Sequence, residues 1–212
     1  MYISEYFKTP IWSEHKPEFV NSSNKASDKY IKEARKNQKA YIKQSGDFGT
    51  SYHSTPLTQD NDFRDLRNYV GQKSWEFLDH HGYDMKQYTL IFSEMWVQEF
   101  AKKGGGHHSA HIHWNQHVSG LYFLKCSKKT SVPVFHEPRT GARATKLKMK
   151  PGIETKGIFN GSELIHFKPN PGALLIFPGY LEHEFSVDHG IDPFRFIHWN
   201  ITAVLKGMAK ET

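Results

Sequence analysis

HHSAHIHWNQHVSGLYFLK, residues 107–125, decides how this chain is read. Five histidines fall within its first eleven residues, and an apolar run follows at once. His111 and His113 stand two apart. On an extended strand alternate side chains share a face, which sets these two roughly 6.7 Å apart at about 3.3 Å per residue. Two imidazoles so placed can bind one metal ion together if a third ligand arrives from elsewhere. The chain offers one in PGALLIFPGYLEH, residues 171–183, where a strand-like run ends in His183. An HxH pair plus a distant histidine predicts a facial metal site.

Outward from this stretch the texture is that of strands. YTLIFSEMWVQEF (88–100) alternates, and GGG at 104–106 breaks it. SVPVF (131–135), SELIHF (162–167), GALLIF (172–177), HEFSV (183–187) and FRFIHWNITAV (194–204) follow, separated by Gly, Pro and Asn turn signals. With SGLYFLK (119–125) these make seven short strands. Such spacing predicts a mainly β fold closed on itself, a double-stranded β-helix of the jelly-roll or cupin-like kind, with helices packed outside. The connector 141–161, Lys-rich and broken by Gly and Pro, is long enough to act as a lid or binding loop.

The first 86 residues read differently. From Ser27 to about Gln44 the apolar positions Tyr30, Ile31, Ala34, Tyr41 and Ile42 fit one helical face, with Ser27 as the expected cap. A second helix is expected from Asp60–Asp62, with Phe63, Leu66, Val70, Phe77 and Leu78 on one face, to a stop at Gly82. The expected organisation is a helical extension, residues 1–86, packed on a catalytic domain at 87–206.

Composition narrows the function. The balance of 28 Lys and Arg against 22 Asp and Glu gives a mild +6 spread along the chain. No stretch interleaves aromatics with bases as a nucleic-acid platform would, so nucleic acid is not the expected partner. Cys126 is the only cysteine, which excludes an intrachain disulfide. Without a membrane-length apolar segment or a signal-peptide pattern, the expectation is a soluble, cytoplasmic protein.

Two histidines and a carboxylate on one face, with open positions left over, is the usual arrangement for iron that activates dioxygen. Here His111, His113 and His183 supply three imidazoles. His107 and His108 are expected outside the ligand set, and His117 stands as an alternative ligand. Arg195, on the strand after His183, is of the kind that fixes a carboxylate at the back of a barrel through a bidentate pair. Tyr122 is placed to donate to the same carboxylate, and is equally suited to the core.

At this point HIHWNQHVSGLYFL resembles the H-x-H…S-G-x-Y-Y pattern of a group of 2-oxoglutarate and Fe(II)-dependent oxygenases. FHEPR, residues 135–139, looks like that group's F-x-D-P-R element. PGALLIFPGYLEHEF matches its Pro-Gly…F-P…L-x-H segment, and RFIHWN is similar to its closing R…F-N strand. The resemblance covers roughly residues 88–204. GDFGTSYHST, near residue 50, resembles versions carried by phages of marine cyanobacteria, which would put the protein in the host cytoplasm.

The resemblance implies Fe(II) and 2-oxoglutarate as cofactors, dioxygen as co-substrate, and hydroxylation of a C–H bond. It implies His111, His113 and His183 at the metal, and Arg195, Tyr122 and Asn200 at the co-substrate. The chain departs from the family in two places. Most 2-oxoglutarate oxygenases at large carry Asp or Glu where His113 stands, so either three histidines hold the metal or a carboxylate such as Glu137 replaces one. Ile197 stands where many relatives place a serine.

Two other classes compete: a three-histidine cupin-type dioxygenase or isomerase without 2-oxoglutarate, and a non-catalytic binding module with a vestigial site. The positive surface and the 141–161 loop favour a peptide side chain as prime substrate over a nucleotide or small metabolite, and leave a homodimer open.

Overall fold

The computed structural model describes residues 2, 4 and 6–208. Ten strands form two antiparallel sheets. The larger has the order β1 (Trp12–His15), β8 (Ala173–Pro178), β5 (Val118–Lys125), β10 (Arg195–Leu205), β3 (Tyr88–Phe100), β2 (Ser51–His53). The smaller runs β4 (His108–His111), β9 (His183–Phe185), β6 (Pro133–His136), β7 (Leu164–His166). Successive strands cross between the sheets, which makes the fold a double-stranded β-helix.

The seven strands expected from the sequence are present. β1, β2 and β4 are additional. Their side chains are mostly exposed or half-exposed, so they lack the apolar alternation that reveals a strand. β1 and β2 are the edges of the larger sheet. Each lies before residue 86, so the N-terminal segment contributes strands as well as helices.

The helices α1 (Val20–Asn37), α2 (Lys39–Ser45) and α3 (Arg64–His80) pack on the outer face of the larger sheet. α1 starts seven residues before Ser27, which is buried and donates its hydroxyl to the Ser23 carbonyl inside the helix. That i−4 bond inside a helix replaces the expected cap. The turn Pro17–Phe19 begins the helix instead, with proline where an N–H has no partner to lose. Gln38, at φ −94° and ψ 5°, separates α1 from α2, which the sequence reads as one helix. α3 follows a turn at Asn61–Phe63 capped by the Asp60 carboxylate, which accepts from the Asp62 N–H at 2.8 Å.

The larger sheet has a core on each face. On the helix side Met95, Val97, Ile197, Trp199 and Ile201 pack with Ile31, Leu66, Val70 and Phe77. On the barrel side Leu121, Phe123 and Phe196 pack with Phe135, Phe177 and Phe185. Among the described residues no helix is long and apolar enough to cross a membrane.

Gly120 on β5 leaves room for a large side chain of β10. Trp199 lies opposite it across β5 and β10, and a Cβ there would come within 2.0 Å of the indole. Glycine lets this buried ring lie flat on the neighbouring strand. Gly120→Ala should therefore cost about 2 kcal/mol or more by overpacking. Gly141→Ala, with nothing within 4 Å of a new Cβ, should be close to neutral. Urea unfolding of the two variants checks the contrast, and equal midpoints would refute it.

Candidate metal centre

β4 ends at His111 and β9 begins at His183, and the register of their pairing sets these residues directly opposite one another. His113 lies in the turn after β4. Its N–H donates to the Gly179 carbonyl at 2.9 Å, so the PGY turn after β8 fixes its position. Asn115 takes the left-handed conformation (φ 60°), which asparagine tolerates. A side chain at Gly179 would come within 2.3 Å of the Gln116 carbonyl oxygen. The two turns thus lock face to face. One ligating atom from each of His111, His113 and His183 lies within 4.8 Å of the others.

Hydrogen bonds orient two of these rings for a metal. The Nδ1 of His111 meets the Ser109 carbonyl at 2.7 Å and that of His183 meets the Leu181 carbonyl at 2.9 Å. A carbonyl only accepts, so each Nδ1 carries the proton and each Nε2 is free to ligate. His183 is 1% exposed. Burial, ahead of the neighbouring histidines, pushes its pKa down to about 3, and burial followed by His111 lowers that of His113 to about 4. Both rings are neutral at physiological pH, as metal ligands must be.

His113 is oriented differently. Its Nδ1 lies 3.0 Å from the Asn200 amide nitrogen. That nitrogen also donates to the Glu94 carboxylate at 2.6 Å, while the Asn200 oxygen accepts from Ser119 at 2.6 Å. The carboxylate fixes which end of the amide is the donor, so His113 Nδ1 is an acceptor. Its Nε2 faces His198 Nε2 at 3.2 Å. To ligate through Nε2 with a proton on Nδ1, His113 needs the Asn200 amide to turn over. A donor aimed at this position suits a carboxylate.

The structure gathers His111, His113, His183 and Asn200. It places four other candidates elsewhere. Arg195 is 4% exposed and lies on the helix side of β10, where Nε donates to Glu99 at 2.7 Å and a terminal nitrogen to Asp28 of α1 at 2.7 Å. The expected bridge from Arg195 to a co-substrate inside the barrel is therefore corrected to a structural pair joining α1 to the sheet. Tyr122 shares that side and donates to the Lys16 carbonyl at 2.6 Å. Glu137 accepts from the Arg139 guanidinium at 2.7 and 2.8 Å, and His117 accepts from the Ala203 N–H at 3.1 Å. Neither belongs to the metal-ligating group.

Strand parity accounts for the error at Arg195. It and Asn200 stand five apart on one strand, and odd spacing sets them on opposite faces. The same parity marks what the sequence reading missed. Phe196 and His198 share the Asn200 face, and Glu94, Trp96 and Gln98 lie across from Asn200, His198 and Phe196 on β3.

Residues 94–193 match the model of the family described as "Putative 2OG-Fe(II) oxygenase". The matched stretch, just under half of the chain, carries all three histidines of the site. Among solved structures, a Pseudomonas putida prolyl-4-hydroxylase is 11% identical, with 91% of this chain and 92% of that one covered at a TM-score of 0.53. A viral collagen prolyl hydroxylase from Paramecium Bursaria Chlorella virus-1 is 9% identical, with 91% and 96% covered at 0.53. An oxidoreductase of the 2OG-Fe(II) oxygenase family from Burkholderia pseudomallei is 11% identical at 0.46, and the chain spans 59% of its length. At these identities the likeness shows the fold. No curated protein matches the chain.

Two predictions follow from the wiring of the site. His111→Ala and His183→Ala should each abolish stoichiometric Fe(II) or Mn(II) binding, whereas His113→Asp should tighten it by about tenfold, because the Asn200 amide already points a donor there. Calorimetric titration with Mn(II) reads this directly, and loss of metal from His113→Asp would show that the position is not set for a carboxylate. Arg195→Ala should cost about 2 kcal/mol of stability by removing charge-assisted hydrogen bonds to Glu99 and Asp28, with Glu99 keeping its pair with Arg35, and with metal affinity unchanged. A normal melting temperature alongside weakened metal binding would contradict that placement.

Proposed function

We propose that the protein hydroxylates a C–H bond of a peptide side chain, holding Fe(II) with His111, His113 and His183 and consuming 2-oxoglutarate and dioxygen. The observation that supports this reading is the histidine triad, set at the junction of β4 and β9 within the stretch that matches the family. The three imidazoles would hold an ion from one side and leave other positions for the co-substrate and dioxygen, which is the requirement for a catalytic centre. Bound Fe(II) with 2-oxoglutarate and dioxygen supplies the oxidising power that converts C–H to C–OH, with succinate and carbon dioxide as the other products.

The chain's own part is to orient and to exclude water. Phe177 and Phe135 pack on the His183 ring, with centroids 4.8 and 6.1 Å away. Behind them the Phe and Leu side chains of the barrel are fully buried, so that side of the site is dry. The other side is open. Trp114, beside His113, is 80% exposed, and Tyr180, beside Gly179, is 56% exposed. Exposed aromatic rings next to two of the turns that hold the site supply flat apolar surface for an extended chain. The prolyl hydroxylase folds among the solved structures are consistent with a peptide side chain. The single thiol, Cys126, is pushed up to about 12 by burial, and nothing in the chain calls for an oxidising compartment, which fits a cytoplasmic enzyme.

With Fe(II) in air, wild-type protein should convert 2-oxoglutarate to succinate slowly without a prime substrate, and faster with the right peptide. His183→Ala should show neither rate. A panel of proline-containing and other short peptides, followed by mass spectrometry for a gain of one oxygen, identifies the substrate. Absence of metal-dependent succinate from metal-loaded protein would sink the oxygenase reading, and stimulation by a nucleotide in place of any peptide would sink the substrate class.

A further inference from the structure

A 2-oxoglutarate molecule carries two carboxylates, and only one belongs to the keto acid end that chelates a metal. The far carboxylate needs partners inside the barrel. Arg195 is the only buried Lys or Arg among the described residues, and it sits on the other side of the sheet, tied to Glu99 and Asp28. No buried cation faces the site.

Two buried polar side chains and the half-buried Trp96 do face it with buried atoms that have no partner. Trp96 and His198 lie directly opposite on β3 and β10, and Gln98 faces Phe196 in the next inward row. The Trp96 and His198 rings are 4.6 Å apart, centroid to centroid. Trp96 Nε1, His198 Nδ1 and Gln98 Oε1 are all buried without a hydrogen bond. His198 is 4% exposed and Gln98 0%. An unmet indole N–H inside a protein costs free energy unless something accepts from it. A neutral imidazole has one N–H, and the tautomer with that proton on Nδ1 turns a donor to the unpartnered side, leaving Nε2 as the acceptor nearest His113. The Gln98 nitrogen contacts Ser51 and His108. Both can donate to an amide oxygen, so turning the amide over keeps those contacts and brings an NH2 to the unpartnered side.

We propose that Trp96, His198 and Gln98 form an uncharged, N–H-lined seat for the far carboxylate of the co-substrate. The proposal rests on the oxygenase reading above. Charge explains why neutral donors suffice. Three neutral histidines leave a divalent ion at a charge of two, and a dianion brings the loaded centre to zero with no help from the protein. An inward arginine would leave it positive. Replacing a ligand histidine by a carboxylate would leave it negative and call for such an arginine. The histidine at position 113 and the absence of a buried cation in the barrel are thus two sides of one electrostatic balance. Buried charge is costly unless compensated nearby.

The test compares two keto acids on the Mn(II)-loaded protein: 2-oxoglutarate, and 2-oxobutanoate, which has the same chelating end and no far carboxylate. Calorimetry gives both affinities. Wild type should prefer 2-oxoglutarate by roughly tenfold or more, the size expected for hydrogen bonds to a charged group. Trp96→Phe, which keeps the ring and removes the N–H, should lose most of that preference and leave 2-oxobutanoate binding unchanged. Gln98→Met, a change of similar volume, should erode it in the same way and covers the case in which Trp96→Phe does not fold. Arg195→Met should keep the full preference, with Glu99 still paired to Arg35 at 2.6 Å. Retained preference in both seat variants, or its loss in Arg195→Met, overturns the proposal. So does a wild type that binds the two acids equally, and that result leaves the metal and keto acid reading standing. Binding of Mn(II) without either acid would instead remove the co-substrate reading and the seat with it.

Discussion

Side chains on β10 alternate between two unlike environments, and most of the molecule is arranged around that division. Arg195, Ile197, Trp199 and Ile201 face the helices, while Phe196, His198 and Asn200 face the barrel. The first set anchors the N-terminal segment. Arg195 reaches Asp28 on α1 and Glu99 on β3, and Trp199 lies over Gly120 on β5. The second set lines the site. A shift of one residue in the pairing of β10 with β3 would exchange the two sets, burying the guanidinium in a phenylalanine core and turning Asn200 away from His113. The bulge between Asn200 and Ile201 falls beyond the site, so the register is unbroken where it is needed.

The metal centre depends on pairing between short segments that have little stability of their own. β4 and β9 hold His111 and His183 opposite each other, and the Gly179 turn holds His113. None of these segments has more than four residues. Their geometry comes from the Phe and Leu side chains packed beneath them, and from backbone bonds between turns that only small residues allow to meet. Each fully buried phenyl ring in that layer contributes about 2 kcal/mol, enough to keep three imidazoles within ligand distance before any ion arrives. With the imidazoles so placed, an ion held by all three through Nε2 would still need one amide, that of Asn200, to turn over.

That amide exposes a tension in the site. Asn200 is wired by Glu94 and Ser119 to offer a hydrogen-bond donor where His113 stands. A carboxylate there would accept it directly. An imidazole must either keep its proton on Nε2, facing His198, or force the amide over. The resemblance to 2-oxoglutarate oxygenases places Asp or Glu at this position, and the surroundings still fit one. A histidine there makes the centre more positive than a carboxylate would while the amide beside it stays set to donate, and the uncharged side chains of Trp96, His198 and Gln98 accord with that charge.

By itself, the sequence determined the elements whose signal is periodic or local. Alternation and turn residues marked the seven longer strands, apolar spacing marked the two main helices, and the HxH pair with His183 marked the three histidines that the structure brings within 4.8 Å of one another. Those signals survive in one dimension because each depends on neighbours within a few residues. The edge strands at Trp12–His15 and Ser51–His53 did not show, since half-exposed strands need no apolar pattern and exist only because β8 and β3 offer open edges to pair with. Only the tertiary structure decided which side of β10 belongs to the barrel. Arg195 looked like a co-substrate ligand from its place after His183, yet the face a strand buries is set by what packs on it, and here the α1 carboxylate claimed the guanidinium. The same holds for His198, Trp96 and Gln98: each is an ordinary residue in its own segment, and their meeting on one face follows from the register of two strands separated by about a hundred residues of chain.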